Sequence, residues 1–187
     1  MIGIKLGFIL MAAVTVPLAV VVNLIRKRKL DNHVIAIIIV TYFTAVVAVT
    51  FFPIPIHERL PGGNGWHEHD AVINLKPLAS IMDLWRDDPL REFLKNVIGN
   101  VLLFLPFGMI ASCWRINKNK WITLCFGVLI SCDIEIVQLF LSDAHLIMQR
   151  TADVDDVLLN VTGFALGQAI TPIVLKRVSK PSARGNE

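Results

Sequence analysis

The sequence predicts an all-α integral membrane protein, a bundle of about five transmembrane helices with a long outer loop that carries short interfacial helices. Of its 187 residues 55% are apolar and only 18% are charged, whereas soluble domains carry about 25% charged residues. The apolar residues gather in five runs near the length of about 20 residues that crosses the hydrocarbon core. The net charge of +3 is small, and the basic residues lie in short clusters beside these runs. That pattern favours membrane orientation over nucleic-acid binding.

The predicted spans form a single membrane domain over residues 1–187. They cover residues 6–25, 34–56, 97–114, 121–141 and 154–175. The first run is too long for a signal peptide and is followed by four basic residues, so it is expected to stay as a span. The three cysteines lie in or beside apolar runs without metal-ligand spacing and are expected to be unpaired core residues.

The basic clusters predict how the spans are oriented. Residues 26–29, 115–120 and 176–184 are rich in Lys and Arg, and such loops stay in the cytoplasm. With five spans these three segments fall on one side of the membrane. The amino terminus is then outside, the carboxyl terminus is cytoplasmic, and the tail 176–187 is flexible and basic. Loops 57–95 and 142–152 lie outside.

Polar residues recur three or four positions apart on the last three spans, a spacing that puts them on one face of each helix. The stripes contain Asn96 and Asn100, then Ser131, Glu135, Gln138 and Ser142, then Asp153, Asp156, Asn160, Gly163 and Gly167. Polar and small faces of membrane helices point into the bundle. A rise of about 1.5 Å per residue puts Glu135 roughly 9 Å below the outer boundary. We therefore predict a shared polar pocket in the outer half of the bilayer.

Energetics predict a partner for the buried acids. Inserting an acidic side chain at the centre of a span costs about 2.5–3.5 kcal/mol of free energy. The attraction of an opposite charge at about 4 Å contributes on the order of 4 kcal/mol at an effective dielectric of 20. Arg150, just before the fifth span, is therefore expected to pair with Glu135 or Asp156. Two plainer alternatives stay open: that the amides only form hydrogen bonds between helices, and that Asp153 only caps its helix. Asp155 is expected to be solvated.

These residues resemble the VanZ-like family, which is named after a protein linked to teicoplanin resistance. The similar segments are Asn74-Leu-Lys-Pro77-Leu-Ala-Ser80, Asn100-Val-Leu-Leu-Phe-Leu-Pro106-Phe-Gly108, Glu135-Ile-Val-Gln138 and residues 150–167, within a region of about 35–170. The shared positions are Asn100, Pro106, Gly108, Glu135, Gln138, Arg150, Asp153, Asp156, Asn160 and Gly163. The resemblance implies a small multi-pass protein of the bacterial cell membrane, and it implies no settled reaction.

The function that the resemblance implies is recognition or alteration of a cell-envelope component at the outer leaflet, with teicoplanin-type glycopeptide resistance as a candidate consequence. The expected partners are membrane lipids or a lipid-linked cell-wall precursor, and no nucleic acid. The expected substrate-binding residues are Asn100, Gln138, Arg150 and Asn160.

Two alternative functions remain at this point. The first is an intramembrane enzyme, with Glu135, Asp153 and Asp156 as candidate catalytic acids and bases; the only histidine considered for it is His145. The second is a small transporter or scramblase-like protein. No cofactor and no metal are expected, and the outer-loop histidines His67 and His69 are interpreted as solvated.

Overall fold

The computed structural model describes residues 3–25, 30–52, 73–114, 119–144, 146–147 and 151–178. The described residues form six α-helices and one pair of two-residue strands. In chain order these are α1 (Ile4–Ile25), α2 (Leu30–Phe51), β1 (Ile73–Asn74), α3 (Ala79–Asp87), α4 (Leu90–Cys113), α5 (Lys120–Asp143), β2 (Ala152–Asp153) and α6 (Val154–Val178). The prediction of an all-α membrane bundle is thereby confirmed.

Four described helices are long and apolar enough to cross a membrane. The segments that meet this test are His33–Phe51, Leu90–Cys113, Lys120–Asp143 and Val154–Lys176, and they correspond to the second to fifth predicted spans. In α1 the corresponding apolar stretch, Ile4–Val20, is shorter, so a crossing by α1 stays a prediction. Large apolar side chains such as Ile38 (62% exposed) and Phe140 (69% exposed) lie on the surfaces of these helices, as expected where the solvent is lipid.

One compact unit comprises Met1–Val72 and Val137–Thr151, and in its described part α1 packs along α2. The hydroxyl oxygens of Thr15 and Thr44 lie 3.0 Å apart across this contact. Each hydroxyl also lies within hydrogen-bond distance of a carbonyl four residues earlier in its own helix. Because a hydroxyl has one proton, one of the two can donate to its carbonyl while the other donates across the contact. Polar side chains inside these apolar helices are therefore satisfied by their own backbone and by each other, which is how membrane helices use Thr.

The second compact unit comprises Ile73–Ile136 and Ala152–Glu187, and its centre is a close contact between α4 and α6. Gly163 of α6 lies against the backbone of α4, where a Cβ would meet the carbonyl oxygen of Val101 at 2.1 Å. In the same way a Cβ on Gly108 of α4 would meet the carbonyl oxygen of Phe164 at 2.0 Å. Glycines at these two positions let the backbones of α4 and α6 touch.

Aromatic side chains fill the space around this contact. The core consists of Phe104, Ala111 and Phe164, with Leu103, Phe107, Leu124, Ile130 and Ile134 packed against it. Phe107 and Phe164 meet edge to face at 5.2 Å between ring centroids, a favoured aromatic geometry. Gly127 of α5 leaves room for the ring of Phe164. The α5 helix is thereby held against the α4–α6 pair, and that contact positions the polar residues described below.

Two boundaries and one burial prediction differ from the structure. The third predicted span begins at 97, whereas α4 begins at Leu90, so the helix starts within the predicted outer loop 57–95. The preceding helix, α3, ends at Asp87 because Asp88 precedes Pro89 and takes an extended conformation, as residues before proline do. Cys113 and Cys125 are free but exposed, so their interpretation as core residues was wrong. The first residues of the predicted tail, through Val178, belong to α6.

Candidate functional site

The start of α6 is organised by Asp153. Its Oδ1 accepts a hydrogen bond from the backbone N–H of Asp155 at 2.9 Å, which is the geometry of an N-cap. Asp155 and Asp156 follow in the first turn of the helix, where negative charge complements the positive end of the helix dipole. Capping is therefore one role of Asp153, as the sequence left open.

Glu135 brings a buried carboxylate to the same helix start. Its Oε2 accepts a hydrogen bond from the backbone N–H of Asp153 at 3.3 Å, and the residue is only 8% exposed. Glu135 also makes further polar interactions. The α5 helix thus places the carboxylate of Glu135, which lies within an apolar span, at the N-terminus of α6. Backbone N–H groups at a helix N-terminus favour an anion.

Asn100 links α4 to the same region. Its Nδ2 donates to Oδ1 of Asp156 at 2.5 Å, and Asp156 has further interactions as well. Both residues were predicted to face the bundle from their spacing along α4 and α6. A hydrogen bond to a charged acceptor is stronger than one between neutral groups, so this contact fixes the polar faces of α4 and α6 toward each other.

Asn160 and Ser131 form the most deeply buried polar pair. Asn160 Nδ2 donates to Ser131 Oγ at 3.1 Å, and the two residues are 3% and 0% exposed. The other polar atom of the amide, Oδ1, is buried and has no hydrogen-bond partner in the described structure. An unpaired buried polar group costs about 1–3 kcal/mol. Asn160 therefore retains an unused acceptor inside a membrane helix.

Asp155 is a residue whose role the sequence did not predict. It is 1% exposed, so the expectation of a solvated side chain was wrong. Its Oδ1 accepts from the N–H of Leu78 at 2.5 Å, and its Oδ2 accepts from the N–H of Ile81 at 3.2 Å. These N–H groups open α3, which has no cap of its own because Leu78 at the N-cap position contributes no side-chain hydrogen bond. Asp155 of α6 therefore caps α3 from outside that helix.

Asn74 joins the β1–α3 turn to the cap of α6. Its Nδ2 donates to Ser80 Oγ at 2.7 Å and lies 3.5 Å from Oδ2 of Asp153. Its Oδ1 accepts from the N–H of Lys76 at 3.1 Å, which closes a local turn. Parallel pairing of β1 with β2 puts Asn74 opposite Asp153. The only sequence signal for Asn74 was its place in the motif that also contains Pro77.

We call this group the polar cluster. It consists of Asn74, Asn100, Ser131, Glu135, Asp153, Asp155, Asp156 and Asn160. It includes five of the seven residues predicted as catalytic or binding. Of the other two, Gln138 donates from Nε2 to the carbonyl oxygen of Thr50 at 2.9 Å, a contact between α5 and α2. Arg150 lies outside the described residues, as do His145, His67 and His69, so the predicted Arg150 pairing stays a prediction.

The chemistry available in the polar cluster is hydrogen bonding and charge. In the described ranges no group of three or more His, Cys, Asp or Glu side chains is arranged to hold a metal ion. Within the polar cluster the carboxylates bond to amides and to backbone N–H groups. An exposed ion pair on α4 joins Lys95 to Glu92 at 3.1 Å. The polar cluster can therefore fix polar groups in place and offer an acceptor at Asn160.

The fold and the polar cluster define a multi-pass helical membrane protein with a buried polar centre among three of its membrane helices. The chain belongs to the VanZ/LLP1 family, whose model matches residues 39–175. Every member of the polar cluster lies inside the matched region, whereas α1 lies before it. No curated protein and no solved structure shows significant similarity to the chain.

Proposed function

We propose that the polar cluster binds the polar group of a cell-envelope molecule. The observation that carries this proposal is the unpaired Oδ1 of Asn160, an acceptor buried in a membrane helix beside Ser131. A hydroxyl or amine of a ligand would supply the missing donor, and buried polar groups in membrane spans are commonly functional. Membership of the VanZ/LLP1 family supports an envelope role.

The proposed ligand class is an envelope lipid or a lipid-linked cell-wall precursor. In the topology predicted from the basic loops, the start of α6 lies at the outer leaflet, where such head groups are found. The predicted role of Arg150, next to this helix start in sequence, is contact with phosphate or carboxylate, for which a planar guanidinium is well suited. The teicoplanin link implied by the family belongs to the same proposal, because a protein that binds an envelope precursor competes with other molecules for it.

Replacing Asn160 with leucine tests the binding proposal. The change keeps the volume and removes the amide, so the affinity for a lipid-linked peptidoglycan precursor is expected to fall about tenfold, the effect of losing one hydrogen bond of about 1.4 kcal/mol. The measurement is native mass spectrometry of the purified protein titrated with the precursor. The matched control is Thr171→Val, which also removes a buried polar group from α6 but one that bonds only within its own helix.

The control variant distinguishes a ligand contact at Asn160 from the general effect of removing a buried polar group from α6. Thr171→Val is expected to bind as the unmodified protein does. Equal losses in the two variants, or undiminished binding by Asn160→Leu, would contradict a ligand contact at Asn160.

A carboxylate-dependent enzyme is the second candidate, because Glu135 and Asp156 both lie in the polar cluster. Asp153 is a weaker candidate for acid or base, since its two oxygens face the Asp155 N–H and the Asn74 amide. If Glu135 moves a proton, Glu135→Gln is expected to reduce turnover by about 10²–10⁴-fold. The measurement is mass analysis of envelope lipids and peptidoglycan from cells with and without each variant. A covalent change that depends on Glu135 supports the enzyme, and unchanged covalent chemistry supports binding.

A further inference from the structure

The exposed side of α3 is divided into an apolar flank and a charged flank. The apolar flank, as we use the term, consists of Leu78, Met82 and Trp85, which recur at steps of four and three and are 52%, 55% and 65% exposed. The charged flank consists of Asp83, Arg86 and Asp87, which are also exposed. Ile81 and Leu84 are half-buried on the protein side. A helix with protein beneath it, apolar residues on one flank and charges on the other has the composition of an interfacial helix.

The apolar flank is continuous with the surface of a membrane helix. Trp85 meets Phe93 of α4 edge to face at 5.1 Å between ring centroids. From there, exposed apolar residues follow α4 at intervals of four. These residues are Leu90, Leu94, Ile98 and Leu102. Since Leu90–Cys113 is long and apolar enough to cross a membrane, the surface that begins at Trp85 runs on into the face that α4 presents to lipid.

We propose that α3 docks on the lipid bilayer that the chain itself spans, with its apolar flank at the boundary between head groups and acyl chains and its charged flank in water. Tryptophan is enriched at this level of a membrane because its ring is apolar and its N–H is polar. Leu78 connects this surface to the polar cluster, because its side chain belongs to the apolar flank while its N–H donates to Asp155.

Lipid fits the apolar flank better than a second copy of the chain does. A stable protein interface comprises about 20–30 residues a side. The apolar flank is only the N-cap residue and two residues of a nine-residue helix, and it is bordered by charges. A lipid surface needs no matching partner shape and accepts a narrow apolar stripe, provided that the neighbouring charges remain in water.

Spin labels on adjacent residues of α3 test this docking. Single cysteines at Met82 and at Asp83 are introduced into the full chain after the natural cysteines are replaced by serine, and each is labelled with a nitroxide in phosphatidylethanolamine–phosphatidylglycerol vesicles. Power saturation then compares collision with oxygen, which concentrates in the bilayer, and with a water-soluble nickel chelate. The label at Met82 is expected to favour oxygen, like a reference label at Leu102. The label at Asp83 is expected to favour the chelate, like a reference label at Asp87.

Two results would overturn the docking proposal. If the label at Met82 meets the chelate as readily as the label at Asp83 does, the flank faces water. If the spectrum at Met82 shows dipolar broadening that disappears on dilution with unlabelled protein, a second copy covers the flank. Both labelled residues are exposed, so the variants are expected to fold, which a monodisperse elution profile checks.

Discussion

Gly163→Ala is expected to destabilise the protein by about 1–3 kcal/mol, the usual cost of forcing extra atoms into a packed interior. The added methyl would lie 2.1 Å from the carbonyl oxygen of Val101, and a backbone atom cannot rotate away as a side chain can. The helices α4 and α6 must therefore separate locally. This separation also stretches the contact of Asn100, which is next to Val101, with Asp156, which lies about two turns before Gly163. The free energy of unfolding, measured by titration with sodium dodecyl sulfate in mixed micelles, reports the loss.

Gly99→Ala is the matched control for this prediction. Gly99 also lies within a membrane helix, α4, but a Cβ there would have no neighbour within 4 Å. Alanine is favoured over glycine in a helix interior by roughly 0.5–1 kcal/mol, so this variant is expected to be as stable as the unmodified protein or slightly more stable. If the two variants lose equal stability, helix propensity or lipid contact matters more than the approach of α4 to α6.

The helical faces were largely predictable from spacing, because a period of three to four residues fixes which side chains point the same way. Asn100, Asp156 and Asn160 were each assigned to the bundle interior on this basis, and each makes an interhelical hydrogen bond. The spacing along a helix does not predict which residue of another helix each polar side chain contacts. Glu135 and Gln138 belong to one stripe on α5, yet Glu135 contacts the backbone at the start of α6 while Gln138 contacts Thr50 of α2.

Asp155 and the cysteines show two other limits of the sequence. The partners of Asp155 are backbone N–H groups 74 and 77 residues away. Because every residue except proline has a backbone N–H group, the side chains in the sequence do not indicate which of these groups is the donor. An acid in the first turn of a helix was therefore interpreted as solvated. Cys113 and Cys125 were assigned to the core because they lie in or beside apolar runs, but apolar surroundings indicate only that water is absent. Both residues are exposed on the described structure.

Asp155→Ala is expected to release the start of α3 from α6. The change removes the acceptor of two backbone N–H groups in a buried site, and each unpaired group costs about 1–3 kcal/mol. Leu78 is held with a positive φ of 66°, a conformation that a leucine seldom adopts unless its surroundings enforce it. Loss of the carboxylate is therefore expected to let this turn relax. Hydrogen exchange of the backbone amides from Leu78 to Leu84 measures the release.

Two comparison variants separate this capping role from a general effect of charge. Asp83→Ala removes an exposed acid from α3 itself and is expected to leave exchange and stability unchanged. Asp155→Asn keeps one acceptor oxygen but turns an amide N–H₂ toward a donor, so it is expected to fall between the alanine variant and the unmodified protein. An acid in the first turn also favours the α6 dipole by about 0.3–1 kcal/mol. If exchange in Asp155→Ala rises only at the first turn of α6 and not in α3, Asp155 serves its own helix and does not clamp α3. Faster exchange from Leu78 onward, with α6 still protected, means that one buried carboxylate holds the α3 segment against the polar cluster.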